Sequence, residues 1–256
     1  MSNIEEYFNQ GLACLQNGDF SNGIEALNNA LKIDPNLPVV YLYRGMAYEQ
    51  INNIDKAITD YDQSLKLFPD EWKYLGYYFR GMAYMTKKTH KNALNDLTNA
   101  IKLAPANPDP MFDLKLAYYS RGFQYKYEKE YDKALSDYNE VLKIAPNYGA
   151  AYCGRGEIFE LKGKYDEAIA EFDKAIKTNN QTSMVFYHRG FCYLQKRDRK
   201  KAIADFETVL KVDPNGPFSK TSVEIINELK RTEADNDLKL IAATVESTIE
   251  TIGAFF

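Results

Sequence analysis

Between Ile4 and Pro214 apolar residues return every three or four positions in short stretches, the period of amphipathic helices rather than strands. The stretches come in pairs, and the pairs repeat. Aligned on a small residue in mid-stretch, Gly11, Gly45, Gly81, Gly122, Gly156 and Gly190, six copies fall into register. Four of them carry a ring, Arg-Gly and a second ring at one spacing: Tyr41, Arg44-Gly45 and Tyr48; Tyr77, Arg80-Gly81 and Tyr84; Tyr118, Arg121-Gly122 and Tyr125; Phe186, Arg189-Gly190 and Tyr193. The copy with Tyr152, Arg155-Gly156 and Phe159 changes only the second ring, and the first copy is degenerate, with Tyr7, Gln10, Gly11 and Cys14. In the second stretches Ala57, Ala93, Ala134, Ala168 and Ala202 recur, with Gly23 in the first copy, and Tyr61, Leu97, Tyr138, Phe172 and Phe206 follow. Pro35, Pro69, Pro105, Pro146 and Pro214 close five copies and Asn180 stands at the remaining place; Gly18, Asn52 and Gly163 fall where the chain must turn between helices.

This pattern resembles the tetratricopeptide repeat, a helix–turn–helix unit of about 34 residues. One copy is too small to bury a core, whereas stacked copies bury a continuous one. The resemblance implies an all-α, right-handed superhelical solenoid of antiparallel helix pairs over residues 4–214, with repeats at 4–37, 38–71, 72–105, 109–146, 147–180 and 183–214. Two spacings are long: Gly45 to Gly81 is 36 residues and Gly81 to Gly122 is 41, against 34 elsewhere. Asp70 and Asp109-Pro110 are good helix starts, which predicts that these two first helices begin a turn or two early. Trp72, Tyr74, Met111 and Phe112 would then form an apolar edge, a secondary surface. Residues 219–256 are expected to form a capping helix, Ser219 to Arg231, and an amphipathic tail helix, about Asp235 to Ile252, whose stripe Leu238, Ile241, Val245, Ile249 and Ile252 is interrupted by Glu246 and Glu250.

The regularly spaced arginines invite a phosphate-binding reading, but each has an acid at a fixed later place: Arg44 with Asp60, Arg80 with Asp96, Arg121 with Asp137, Arg155 with Glu171 and Arg189 with Asp205. The first copy lacks both members, having Gln10 and Ala26. Partly buried ion pairs tying the two helices of one repeat are therefore expected, because a partnered guanidinium is not free for phosphate.

The first-helix face opposite the repeat core should be polar in an isolated surface helix. Here it carries Phe8, Leu12, Leu42, Tyr43, Met46, Tyr78, Phe79, Met82, Tyr119, Phe123, Tyr187 and Phe191. In the family that face lines a concave surface which binds extended or helical peptides. The resemblance thus implies a peptide-binding groove of Tyr43, Met46, Tyr78, Phe79, Met82, Tyr119, Phe123, Tyr187 and Phe191, with Glu157 and Glu160 adding selectivity for a basic residue. Packing between adjacent first helices is the alternative for any one ring. The chaperone-binding subset grips a terminal carboxylate with lysine, asparagine and arginine; at those places stand Phe8, Leu12, Tyr43, Leu75 and Phe79, and later windows supply no clamp either.

Net charge is −4, which disfavours nonspecific nucleic-acid binding. No apolar run reaches the ~20 residues of a membrane span, and residues 1–10 do not read as a signal peptide. Cys14, Cys153 and Cys192, an odd and scattered set, suggest free thiols and a cytoplasmic address. Gly154-Arg155-Gly156 lacks the preceding strand of a nucleotide fingerprint, and Gly163-Lys164 is followed by Tyr165 rather than Ser or Thr. His90 and His188 lie in different copies without metal-ligand spacing, so each reads as a surface or groove residue and no cofactor is expected. The expected function is a non-enzymatic interaction scaffold or adaptor for a protein segment offering apolar or aromatic side chains. The alternative is self-assembly, with the C-terminal helix lying in its own or a neighbour's groove.

Overall fold

The computed structural model describes residues 3–178, 180–231, 243–249 and 251. Helices dominate, and no strand occurs among the described residues. The chain divides after Glu130 into two compact units. Unit 1 holds α1 (Asn3–Gln16), α2 (Phe20–Ile33), α3 (Pro38–Gln50), α4 (Ile54–Leu67), α5 (Lys73–Thr86), α6 (His90–Leu103) and α7 (Leu114–Tyr127). Unit 2 holds α8 (Tyr131–Ile144), α9 (Gly149–Leu161), α10 (Tyr165–Lys177), α11 (Ser183–Gln195), α12 (Arg199–Val212), α13 (Ser219–Arg231) and a helical segment at 243–249. The rest of the expected 235–252 helix lies outside the described residues.

Within each unit every helix packs on the next, and first helices of successive repeats also touch, α1 on α3, α3 on α5 and α9 on α11. The small residue in each first helix makes this approach possible. A Cβ at Gly45 would stand 2.6 Å from the Tyr61 ring, and one at Gly156 would stand 2.6 Å from Phe172. The rings so admitted, Tyr61, Tyr138, Phe172 and Phe206, are buried.

The turn inside each repeat is closed by one left-handed residue. Gly18, Asn52 and Gly163 have φ of 76°, 57° and 70°, and Lys88, Lys129 and Arg197 take the same conformation at 58°, 60° and 61°. It lets the chain bond back across the helix end, as when Asn53 N–H donates to Tyr48 O at 2.8 Å and Asp198 N–H to Tyr193 O at 2.8 Å. Asn53 and Asp198 then cap the second helices, accepting from Lys56 N–H and Lys201 N–H.

The two long spacings are accommodated differently from the early helix starts expected. Asp70–Trp72 forms a short 3₁₀ turn and α5 follows at Lys73. Before α7 the extra residues form a loop, because Asp113 is the better cap: its Oδ1 accepts from Leu116 N–H at 3.0 Å. Asp109 instead closes a turn, its Oδ1 accepting from Met111 N–H at 2.8 Å and its carbonyl from Phe112 N–H at 2.9 Å. That turn drives Phe112 into the core.

Candidate functional site

Four of the expected arginine pairs have ion-pair geometry. Arg44 Nη2 lies 2.6 Å from Asp60 Oδ1, Arg80 Nε 2.7 Å from Asp96 Oδ2, Arg155 Nη2 3.0 Å from Glu171 Oε1 and Arg189 Nη2 2.6 Å from Asp205 Oδ1. Arg44, Arg80 and Arg189 each make a two-pronged fork to the carboxylate. Arg121, on α7, stacks over Tyr118 and Tyr125.

The remaining Nη1 does something not foreseen: it reaches the preceding repeat. Arg44 donates to Asn28 Oδ1 at 2.6 Å, Arg80 to Asp62 Oδ1 at 2.6 Å, Arg155 to Asn139 Oδ1 at 3.0 Å and Arg189 to Asp173 Oδ1 at 2.6 Å. Each of these four arginines is thus a staple across three helices. Burial opposes the Arg80 charge, but hydrogen bonds to Asp96 and Asp62 and their negative charge outweigh it and raise its pKa. The ladder is committed to structure.

The apolar first-helix residues meet different surroundings in the two units. In unit 1 Tyr74 and Phe112, expected on an exposed edge, are buried in the core, with their rings edge to face at 5.3 Å. Phe112 also meets Tyr78 edge to face at 5.0 Å, Tyr74 Oη accepts from Asp109 N–H at 2.8 Å and Tyr43 Oη donates to Met111 Sδ at 3.6 Å. The 104–113 loop therefore covers Tyr43 and Tyr78, and only Trp72 of the edge set is exposed, stacked on Tyr74. Met111 is half-buried.

Beyond that loop the face is open. Phe79 and Met82 are half-buried and, with Tyr78, Ile54, Glu49, Gln50, Asn52 and Thr86, line a cavity of about 390 Å³. Phe79 stacks on Tyr61 at 6.0 Å between centroids, and the Tyr61 hydroxyl donates to Glu49 Oε2 at 2.5 Å. Burial lifts the Glu49 carboxyl above its ordinary 4.5, partly offset by that hydrogen bond. Met46, Tyr119 and Phe123 are half-buried too, with Lys126 Nζ 5.0 Å from the Phe123 ring centroid.

In unit 2 the expected groove residues Tyr187 and Phe191 are buried, which corrects their placement on an open wall. The physical reason is that the chain supplies its own apolar side chains. Val245 is buried in the cluster that contains Tyr187, Phe191, Phe218, Ile225 and Leu229, and Ile249 packs against the same cluster. Burial raises the Tyr187 pKa. Glu246 lies near enough to Tyr165 to raise its pKa, after burial and Cys192.

Nor does the structure leave Glu160 or His188 on a surface. His188 Nδ1 lies 2.9 Å from Glu160 Oε2, both side chains are buried, and Cys192 Sγ is 3.9 Å from the same oxygen. Burial and the Glu160 charge push the Cys192 thiol up, which holds it in the unreactive protonated form. Glu157 is half-buried and accepts from Cys153 Sγ at 3.4 Å. His90 stacks on Tyr127 at 3.7 Å with Nδ1 2.8 Å from Gln124 Oε1. Among the described residues no cluster could hold a metal ion, and no helix is long and apolar enough to cross a membrane.

Residues 25–229 match the family described as the tetratricopeptide repeat protein 21 C-terminal ARM domain, and residues 4–37 match the tetratricopeptide repeat itself. No curated protein matches the sequence. Among solved structures, MamA is 30% identical over 66% of this chain and 94% of its own, with a TM-score of 0.59. YrrB, described as a TPR protein with an unusual peptide-binding site, is 20% identical over 78% of this chain and 99% of its own, with a TM-score of 0.62. A tetratricopeptide repeat protein from Parabacteroides merdae ATCC 43184 is 18% identical over 96% of this chain and 100% of its own, with a TM-score of 0.67.

Proposed function

The chain belongs to the tetratricopeptide repeat family, whose fold is that of a protein-interaction scaffold, and from that premise we propose that unit 1 binds a segment of another protein on its first helices, without catalysis. The observation that carries this reading is the open cavity at Phe79 and Met82, together with half-buried Tyr119 and Phe123 on the next first helix, α7. Half-exposed rings and a methionine suit an adaptable surface that gains by covering. A peptide site of the kind described for YrrB supports the same reading by likeness of fold. The test is calorimetric titration with synthetic helical peptides carrying leucine and phenylalanine one turn apart. Binding that weakens about tenfold in Phe79→Ala or Phe123→Ala is expected, since each truncation removes roughly 1–2 kcal/mol of contact. Affinities indifferent to both changes would overturn it. Free thiols at Cys14, Cys153 and Cys192 fit work in a reducing compartment such as the cytoplasm.

Self-assembly is the second reading, favoured by one observation: the 243–249 segment already buries Val245 against a first-helix surface. Exchanged between copies, the same contact would join two chains. Light scattering on the intact chain and on one ending at Arg231 separates the cases. An oligomer that the shorter chain loses supports exchange, and a monomer in both removes it.

A further inference from the structure

The cavity between the α3–α4 turn and α5 is apolar along one side and acidic at one point. Ile54, Tyr78, Phe79 and Met82 supply the apolar side, and Glu49 is the only charged residue among those that line it. Glu49 Oε2 is taken by the Tyr61 hydroxyl, which leaves Oε1 as the acceptor for something else. Two lysines close in sequence to the lining residues have other contacts: Lys87 Nζ is 2.6 Å from Asp55 Oδ1, and Lys56 Nζ is 5.3 Å from the Tyr48 ring centroid. A half-buried carboxylate without a cation is electrostatically unfinished, and burial already penalises its charge.

A ligand group that completes such a site needs an aliphatic stem and a cationic head. Lysine and arginine have both, and the half-buried Phe79 ring adds a favourable surface for the cation. Residues 243–251, the stretch that includes Val245 already buried in unit 2, contain Glu246 and Glu250 and no basic residue. That stretch would set carboxylate against carboxylate, whereas Lys239 is the one basic residue of 235–252 that competes with a partner's for this place.

We infer that this cavity is a subsite for a lysine or arginine of the bound partner segment, its stem along Ile54, Phe79 and Met82 and its head on Glu49. The inference rests on the scaffold reading above and gives the partner a chemistry: an amphipathic segment with a basic residue beside its apolar ones.

The test is fluorescence anisotropy with labelled helical peptides bearing leucine and phenylalanine one turn apart and, at the next turn, lysine, arginine, norleucine or glutamate. Norleucine keeps the lysine stem and removes the charge. Lysine and arginine peptides are expected to bind about tenfold more tightly than norleucine, the worth of one charge-assisted hydrogen bond, with glutamate weakest. Glu49→Gln, whose amide oxygen can still accept from Tyr61, should bring the lysine and norleucine peptides to the same affinity. Equal binding of lysine and norleucine peptides, with Phe79→Ala still weakening both, would overturn the subsite and leave the scaffold reading standing. No binding by any peptide to a chain with native circular dichroism would overturn both. Tighter binding of a peptide copying residues 235–252 than of the lysine peptide, kept when norleucine replaces its Lys239, would overturn the subsite in favour of self-recognition.

Discussion

At the scale of single residues, the chain was legible wherever one residue type recurs in one place. The glycines and the arginine–acid pairs could be read because position and chemistry coincide in copy after copy. The second arm of each arginine could not, because its acceptors alternate between amide and acid, Asn28, Asp62, Asn139 and Asp173, at positions that look solvated. Half the left-handed turn residues were equally hidden: Lys88, Lys129 and Arg197 carry no turn preference, and only the Schellman bonding demands their φ. Gly45→Ala, with its new Cβ 2.6 Å from the Tyr61 ring, should destabilise the fold by about 1–3 kcal/mol in urea titration, the cost of overpacking. Arg80→Ala strands the buried Asp96 and should cost about 2–3 kcal/mol, whereas Arg80→Met with Asp96→Leu should cost less than that single change. Glu49 gives a pH signature. Its folded pKa lies above 4.5, so the native chain holds the proton more tightly, and the group's contribution to stability is complete below pH 4.5 and lost as pH rises through the folded value. The stability of Glu49→Gln relative to the parent, from urea titrations at a series of pH values, should therefore rise from pH 4.5 upward and then level off.

At the scale of elements, helices and their pairing followed from period and caps, but the insertion before α7 did not. Asp109-Pro110 reads as a helix start by the same rule that Asp113 satisfies, and tertiary burial of Phe112 decides between them. The apolar pair Met111-Phe112 reads as an exposed edge, whereas the turn buries Phe112 and half-buries Met111, since sequence shows that a side chain is apolar without showing what covers it. Phe112→Ala should cost about 3 kcal/mol and loosen the 104–113 loop from Tyr43 and Tyr78. Faster amide exchange at positions 111 and 112 in the variant than in the parent, with α5 unchanged, checks this; unchanged protection would show that the turn holds itself. The same lesson applies to Tyr187 and Phe191, read as open wall and found beneath residues 243–249.

At the scale of the molecule, the chain uses one kind of first-helix surface in two ways. In unit 2 it is filled by the chain itself, and in unit 1 a part of it remains open with Glu49 at its side. The central claim is that this open part is where a partner segment binds. The methionines stand as reporters: Met46 and Met82 near the expected ligand, Met85 and Met184 as controls on α5 and α11. The most direct measurement is methyl NMR of methionine-labelled chain titrated with the lysine-bearing peptide. The account predicts that the Met82 signal moves first and furthest, with Met46 following and Met184 still. Saturable binding that leaves Met82 in place, or moves Met184 as much, would contradict it.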